Sequence, residues 1–195
     1  MDRIRVMLVE DDLFWQQNIS SDLAEEEDIE VVVVAGTKEE AVDAAFRYPL
    51  DIILMDINLT GNNLDGLEAM KEILSKLYEH GIKVIMLTSL TERDVIMKSF
   101  QLGALNYITK VSYKDIVRAI REAYVDRSTI HADAARIMRS EIQLMDLSPM
   151  EREVFDLRKE GLSKQQISDR LHKSTNTIKS QLKSIKDKLT YFKGN

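Results

Sequence analysis

Three carboxylates, a hydroxyl and a lysine stand where they could share one piece of chemistry. Glu10 and Asp11 follow an apolar run at 6–9, Asp56 follows another at 52–55, Thr88 closes a third and Lys110 follows a fourth. If those runs are strands of one parallel sheet, all five side chains lie at carboxyl ends, where open α/β sheets form their ligand crevice. Carboxylates brought together there repel one another unless a cation lies between them. With oxygen donors only, and no histidine or cysteine close by, the donor set suits a hard ion such as Mg²⁺. Lys110 adds a fixed positive charge and Thr88 a hydroxyl donor. A cation, an ammonium and a hydroxyl around one carboxylate can hold a phosphoryl group on that carboxylate. Taken singly, the acidic residues could be turn formers, and Thr88 or Lys110 could be solvated side chains. Their joint placement carries the argument.

A second set lies near the other end. Lys179, Lys183 and Lys186 recur at spacings of four and three, with Ser180, Gln181 and Ser184 between them. On a helix the lysines form a stripe about 100° round from the apolar positions Ile178, Leu182, Ile185 and Leu189. Lysines neutralise phosphates, and polar side chains can read base edges in a major groove. The bland alternative is the solvated face of an amphipathic helix.

The elements that must position the first set alternate regularly. Candidate strands at 4–9, 30–35, 51–55, 82–87 and 105–108 are separated by helical patterns at 13–25, 38–46, 64–78, 92–102 and 113–125. Strands apolar throughout, such as Ile52-Ile53-Leu54-Met55, are expected to be buried on both faces of a parallel sheet. Five βα units in a row predict an open, doubly wound α/β domain with a five-stranded parallel sheet over 1–126. The strand signal then ends. Residues 127–145 read as a partly helical linker, and 146–195 as a second, small all-α domain. Ser148-Pro149-Met150-Glu151 and Ser163-Lys164-Gln165-Gln166 are capping boxes, and Ser174 or Thr175 caps a third helix. Two short helices joined by a tight turn, the second longer and basic, predict a helix-turn-helix.

The segments Leu8-Val9-Glu10-Asp11-Asp12, Ile53-Leu54-Met55-Asp56-Ile57-Asn58, Asp65-Gly66, Val84-Ile85-Met86-Leu87-Thr88-Ser89 and Gly103-Ala104-Leu105-Asn106-Tyr107-Ile108-Thr109-Lys110 together resemble the receiver domain of bacterial two-component response regulators. The resemblance covers nearly all of 4–126 and implies a flavodoxin-like fold. It implies Asp56 as phosphoacceptor, charged by a partner sensor histidine kinase or a small phosphodonor. Mg²⁺ would be held by Asp11, Asp56 and the Asn58 backbone carbonyl, with Glu10 acting through water. Thr88 and Lys110 would contact the phosphoryl oxygens, and Tyr107 would be the switch aromatic. By itself Tyr107 reads as an ordinary strand aromatic. Two departures stand out: Thr60-Gly61-Asn62-Asn63 replaces the family's usual proline after the phosphoacceptor, and Val111 stands where many receivers carry a cis proline. A cis bond before Val111 would cost about 3 kcal/mol, so trans is expected there.

The C-terminal segments Leu147-Ser148-Pro149-Met150-Glu151-Arg152-Glu153-Val154, Gly161-Leu162-Ser163, Gln166-Ile167-Ser168 and Thr177-Ile178-Lys179 resemble the LuxR/NarL helix-turn-helix. That resemblance implies a transcription factor binding duplex promoter DNA, with Lys179, Ser180 and Lys183 facing it. Gln181 replaces the family's common histidine. The family adds a fourth, dimerising helix, whereas only six residues follow Leu189 here. Pairing is therefore expected from the receiver, as a phosphorylation-dependent homodimer through the face made by 92–102, 105–109 and 113–125.

The totals agree. The net charge of −6 divides into 13 basic and 24 acidic residues over 1–126, against 14 basic and 9 acidic over 127–195. A basic end on an acidic protein suits a polyanionic partner, although charge alone fits a merely soluble tail as well. The chain has no cysteine, which excludes disulfides and thiolate metal sites. Four apolar residues near the start make neither a signal peptide nor a membrane span, so no membrane association and a cytoplasmic location are expected. The three histidines are too scattered for a metal site, and Trp15 reads as packing against or capping the first helix. Two other readings compete. A Mg²⁺-dependent phosphohydrolase using Asp56 would need a second acid or base for turnover, which the sequence does not supply, so the chain is expected to catalyse only its own aspartyl phosphorylation and dephosphorylation. An interaction protein would bind a protein partner through its C-terminal helices.

Overall fold

The computed structural model describes residues 3–61, 64–127 and 129–190. These fall into two compact units that divide between Ile137 and Met138.

Strands β1 (Ile4–Val9), β2 (Ile29–Ala35), β3 (Ile52–Met55), β4 (Lys83–Thr88) and β5 (Asn106–Thr109) form one sheet in the order β2-β1-β3-β4-β5. Every pairing is parallel. All four residues of β3 are buried, as expected for a strand covered on both faces. The two-residue period of the strands sorts their side chains into two cores. Met7, Val9, Ile53, Met55, Val84 and Met86 join one core with helices α2 (Lys38–Arg47), α3 (Asp65–Leu77) and α4 (Arg93–Gln101). Val6, Leu8, Ile52, Leu54, Ile85 and Leu87 join the other with α1 (Leu13–Ala24) and α5 (Ile116–Tyr124). Helices on both faces of a parallel sheet make the doubly wound domain expected from the sequence.

Register places the site. Val9 pairs with Met55, Met55 with Met86, and Thr88 with Thr109. The residues that follow, Glu10, Asp56 and Lys110, therefore emerge side by side at one end of the sheet. Gly66 lets α3 start hard against this end: a Cβ there would lie 1.9 Å from the Asp56 carbonyl oxygen. No other residue fits.

Several boundaries differ from the sequence reading. Strands β4 and β5 each begin and end one residue later than expected. The helix read at 113–125 begins as a 3₁₀ segment, Lys110–Asp115, and becomes α-helical only at Ile116. The break is at Ser112, whose φ of −99° and ψ of 20° leave the helical region. The described peptide bonds, including the one before Val111, are all trans. Asn62 and Asn63 of the loop after Asp56 lie outside the described residues.

The stretch read as a partly helical linker has structure of its own. Helix α6 (Ala132–Leu144) fills most of it, and residues up to Ile137 belong to the first unit. Ala134 is fully buried in the core that also holds Tyr107 and Ile96, with Ile137 packed against it. Asn106 donates from Nδ2 to the Thr129 carbonyl and accepts at Oδ1 from the His131 N–H. Strand β5 is an edge strand, and an edge left bare offers unpaired backbone groups. Here the chain covers its own edge. The expected pairing face at 92–125 is therefore partly occupied by residues 129–134, because covering the β5 edge satisfies polar groups that would otherwise face solvent.

The second unit contains α7 (Pro149–Lys159), α8 (Lys164–Arg170) and α9 (Thr175–Thr190), packed around Leu144, Leu147, Val154, Leu157, Ile167, Ile178 and Ile185. Both expected capping boxes form, at Ser148/Glu151 and Ser163/Gln166, each contributing about 1 kcal/mol. Ser174 caps α9 by accepting the Thr177 N–H. Glu151 does more than cap. It accepts from the Lys188 ammonium and the Ser184 hydroxyl, both at 2.6 Å, tying the start of α7 to α9. Lys188, then Ser184, hold its carboxyl down at about 2. The expectation that the family's fourth helix is lacking concerns residues 191–195, which lie outside those described. No helix among the described residues is long and apolar enough to cross a membrane.

Candidate phosphoryl-acceptor site and nucleic-acid surface

At the carboxyl end of the sheet, Asp56 is 6% exposed, Glu10 1%, Thr88 1% and Lys110 7%. Lys110 Nζ lies 2.6 Å from Asp56 Oδ2 and 2.6 Å from Glu10 Oε2. Leaving a buried carboxylate uncompensated costs roughly 3–5 kcal/mol, and this ammonium offsets that cost for the cluster. Burial disfavours the charge on Lys110, but its hydrogen bonds to Asp56 and Glu10 outweigh that and lift its pKa above the ordinary lysine value. Glu10 does not gain as much. Burial pushes its carboxyl up to about 7, against the pull of Lys110 and with the repulsion of Asp56 added. The other Asp56 oxygen, Oδ1, accepts the Ile57 N–H at 2.6 Å.

Asp11 is exposed beside these buried groups, and Glu10, Asp11 and Asp56 each bring a carboxylate oxygen within 4.8 Å of the others. Such an all-oxygen set suits a hard divalent cation. Asn58, two residues after Asp56, turns its side chain to accept the Leu64 N–H at 3.4 Å. Asp12 begins α1, accepting the Phe14 and Trp15 N–H groups, and so anchors the turn that carries Glu10 and Asp11. Asp65 accepts from the Leu59 N–H and the Thr60 hydroxyl, bracing the loop after Asp56.

Thr88 and Tyr107 meet at one residue. Thr88 Oγ1 accepts the Leu90 N–H at 3.4 Å, and the buried Tyr107 hydroxyl donates to the Leu90 carbonyl at 2.9 Å. Burial, then the nearby Glu92 and Asp56 charges, raise the Tyr107 pKa, so the phenol stays protonated. The sequence placed Glu10, Asp11, Asp56, Thr88 and Lys110 at strand ends; the structure gathers Glu10, Asp11, Asp56 and Lys110 into one cluster and sets Thr88 at the same end of the sheet, as the last residue of β4.

Two contributors escaped the sequence reading. Trp15, read as packing or capping, holds its ring 5.4 Å from Lys110 Nζ and is itself braced edge-on by Tyr113 at 5.6 Å. The available signal was its place four residues after Asp11, one helical turn on. Asp133 accepts from the Thr109 N–H and hydroxyl, both at 2.8 Å. Nothing in the local sequence marked it, because the contact spans 24 residues.

In the second unit, Lys179, Ser180, Lys183 and Lys186 are exposed on α9. Ser180 donates back to the Thr177 carbonyl, leaving its hydroxyl oxygen outward as an acceptor. Ser184, expected within the polar stripe, instead spends its hydroxyl on Glu151. Gln181 is half-buried, and its side-chain oxygen finds no hydrogen-bond partner among the described residues.

Comparison with known proteins gives a consistent picture. The family described as "Response regulator receiver domain" matches residues 6–121, and the family described as "Bacterial regulatory proteins, luxR family" matches 145–191. The response regulator protein VraR is 33% identical over 192 residues, in Staphylococcus saprophyticus and in Staphylococcus aureus, covering 95% of this chain and 90% of VraR. Among solved structures, the RcsB response regulator of Salmonella typhimurium aligns with a TM-score of 0.68 at 22% identity, over 97% of this chain and 93% of RcsB. RcsB has also been solved as two dimers bound to two parallel DNAs, which align here with a TM-score of 0.69 at 22% identity over 96% of this chain and 92% of RcsB.

Proposed function

Because the chain belongs to the response-regulator family, with a receiver domain followed by a LuxR-type helix-turn-helix domain, we propose that it regulates transcription through phosphorylation of Asp56. The observation that carries the reading is the ion pair between Asp56 and Lys110 inside the acid cluster. It sets a positive charge 2.6 Å from the acceptor carboxylate, beside oxygens suited to a divalent cation. In this reading a carboxylate oxygen of Asp56 attacks the phosphorus of a sensor kinase's phosphohistidine or a small phosphodonor. The new P–O bond forms as the bond to the donor breaks, and the leaving group takes the electron pair. Asp11, Asp56 and the Asn58 carbonyl would hold Mg²⁺ directly and Glu10 through water. The ion supplies neutralisation of phosphoryl charge. Lys110 swings from Glu10 and Asp56 onto a phosphoryl oxygen, and the Thr88 hydroxyl donates to another.

Thr88 and Tyr107 share Leu90, so the reading has a route outward. When the Thr88 hydroxyl turns to the phosphoryl group, the Leu90 N–H loses its acceptor and Tyr107 loses a fixed partner. The exposed Lys179, Lys183 and Lys186 would neutralise duplex DNA phosphates, and Ser180 would face base edges. Phosphorylation would raise DNA affinity by pairing two chains through their receivers. We place the receiver at 1–126 and the DNA-binding part at 146–195.

Intact-mass spectrometry after incubation with acetyl phosphate tests the core of this. The wild-type chain gains one phosphoryl mass only with Mg²⁺, and Asp56→Asn gains none. Equal labelling of Asp56→Asn, or labelling in excess chelator, would overturn the assignment.

A further inference from the structure

Lys110 must reach Asp56 from the end of an edge strand that has no neighbouring strand beyond it to hold its last residues. The holding is done from elsewhere. The Asp133 carboxylate accepts the Thr109 N–H at 2.8 Å, the Thr109 hydroxyl at 2.8 Å and the Ser112 hydroxyl at 3.3 Å. These partners bracket Lys110 on both sides. Asp133 is itself set in place. Its own N–H donates to His131 Nδ1 at 3.3 Å, and His131 Nε2 lies 3.1 Å from Asp115 Oδ2 at the end of the 3₁₀ segment. Next to it, Ala134 is fully buried. Burial works against the Asp133 charge, but the Thr109 N–H and hydroxyl outweigh it and keep the carboxyl below its ordinary range.

We propose that Asp133 is a positioning residue for Lys110, so that the phosphoryl-acceptor site is completed by a carboxylate from beyond the receiver sequence. The receiver family matches only residues 6–121, and the inference rests on the reading of Asp56 as phosphoacceptor. The physical case is one of reach. Nζ stands at the end of a flexible four-carbon stem, and its placement within 2.6 Å of two carboxylates requires a fixed Cα. Charge-assisted hydrogen bonds to the residue before and a residue after supply that. Coupling of this kind is reciprocal: if Asp133 favours one placement of Lys110, capture of Lys110 by a phosphoryl group must alter the hold on Asp133. The segment 129–137 thus senses the state of the site through its own hydrogen bonds.

The test uses the full chain, Mg²⁺ and acetyl phosphate, with labelling rate read by intact mass and the single tryptophan, Trp15, as a probe beside Lys110. Asp133→Ala is expected to label about tenfold more slowly, less than the roughly hundredfold that a full one-ångström misplacement costs. Asp133→Asn, which keeps the volume and one acceptor, should fall between it and wild type, and serves if alanine loosens the segment. Arg136→Ala, an exposed change on the same helix, should label at the wild-type rate. Asp133→Ala should also shift Trp15 emission, and that shift should vanish in a Lys110→Ala background, an outcome that general loosening would not give. Wild-type labelling rates in both Asp133 variants, or an emission shift that persists without Lys110, would overturn the proposal while leaving Asp56 intact. A wild-type chain that takes no label at Asp56 would overturn both readings.

Discussion

With its carboxyl pushed up to about 7 by burial and by Asp56, Glu10 carries a proton through much of the mildly acidic range when no cation is present. A divalent ion at the cluster competes with that proton, because a metal site needs its carboxylates ionised. The sign follows. Below about pH 7 the neutral form of Glu10 dominates and Mg²⁺ must displace a proton; above it the site is ready charged, so apparent Mg²⁺ affinity rises with pH through this window and then levels off. Calorimetric titration on either side of neutrality should show tighter binding at the higher pH, with proton release detectable in buffers of different ionisation heat only near and below about pH 7. Glu10→Gln should flatten the profile, and a pH-independent affinity in the wild-type chain would contradict the account. At this scale the sequence was informative where spacing set the chemistry: Glu10, Asp11, Asp56, Thr88 and Lys110 all sit at strand ends that apolar runs reveal. It was silent on Trp15 and Asp133, whose roles depend on which surface comes to lie beside Lys110.

Helix α9 shows how an element assigns its residues to different tasks. The apolar face, with Ile178 and Ile185 buried, was legible from spacings of three and four. The polar side was less so, because lysine and serine look alike in sequence whether they face water or a neighbouring helix. Lys188 and Ser184 turn to Glu151, while Lys179 and Lys183 stay exposed. Each phosphate contact adds about 0.9 to the magnitude of the slope of log affinity against log salt. Lys183→Ala should therefore weaken DNA binding and lower that magnitude by about 0.9, whereas Ser180→Ala should keep the slope and alter sequence preference. Fluorescence anisotropy over a salt series decides between them, and a Lys183→Ala protein with unchanged affinity at every salt concentration would remove α9 as the reading element. Glu151→Gln, by contrast, should lower stability through the α7–α9 tie, most clearly above pH 4.5, where the unfolded carboxyl is ionised too. The native advantage is lost as pH falls from there towards about 2.

Across the whole molecule, an acidic first part and a basic second part share one chain, and in the proposed function receiver pairing links them. Two weakly binding modules gain affinity when pairing raises their effective concentration, with no new DNA contact. Sedimentation velocity on the full chain should show a faster species with acetyl phosphate and Mg²⁺ than without, and assembly indifferent to the donor would contradict receiver-driven pairing. The face proposed to pair is partly covered by residues 129–134, so pairing as proposed would use what that segment leaves open or what it uncovers. Local patterning alone determined the parallel sheet, the alternation of helices, the two capping boxes, the basic stripe and the strand ends that gather the acid cluster, because each depends on short-range periodicity and backbone chemistry. Only the tertiary structure decided the rest: that the stretch after Asp126 folds back onto the β5 edge, that Asp133 braces the residues around Lys110, and that Trp15 lies beside the ammonium. Those contacts join residues distant in the chain, and they form because a bare strand edge and a buried ammonium must find partners that no local pattern announces.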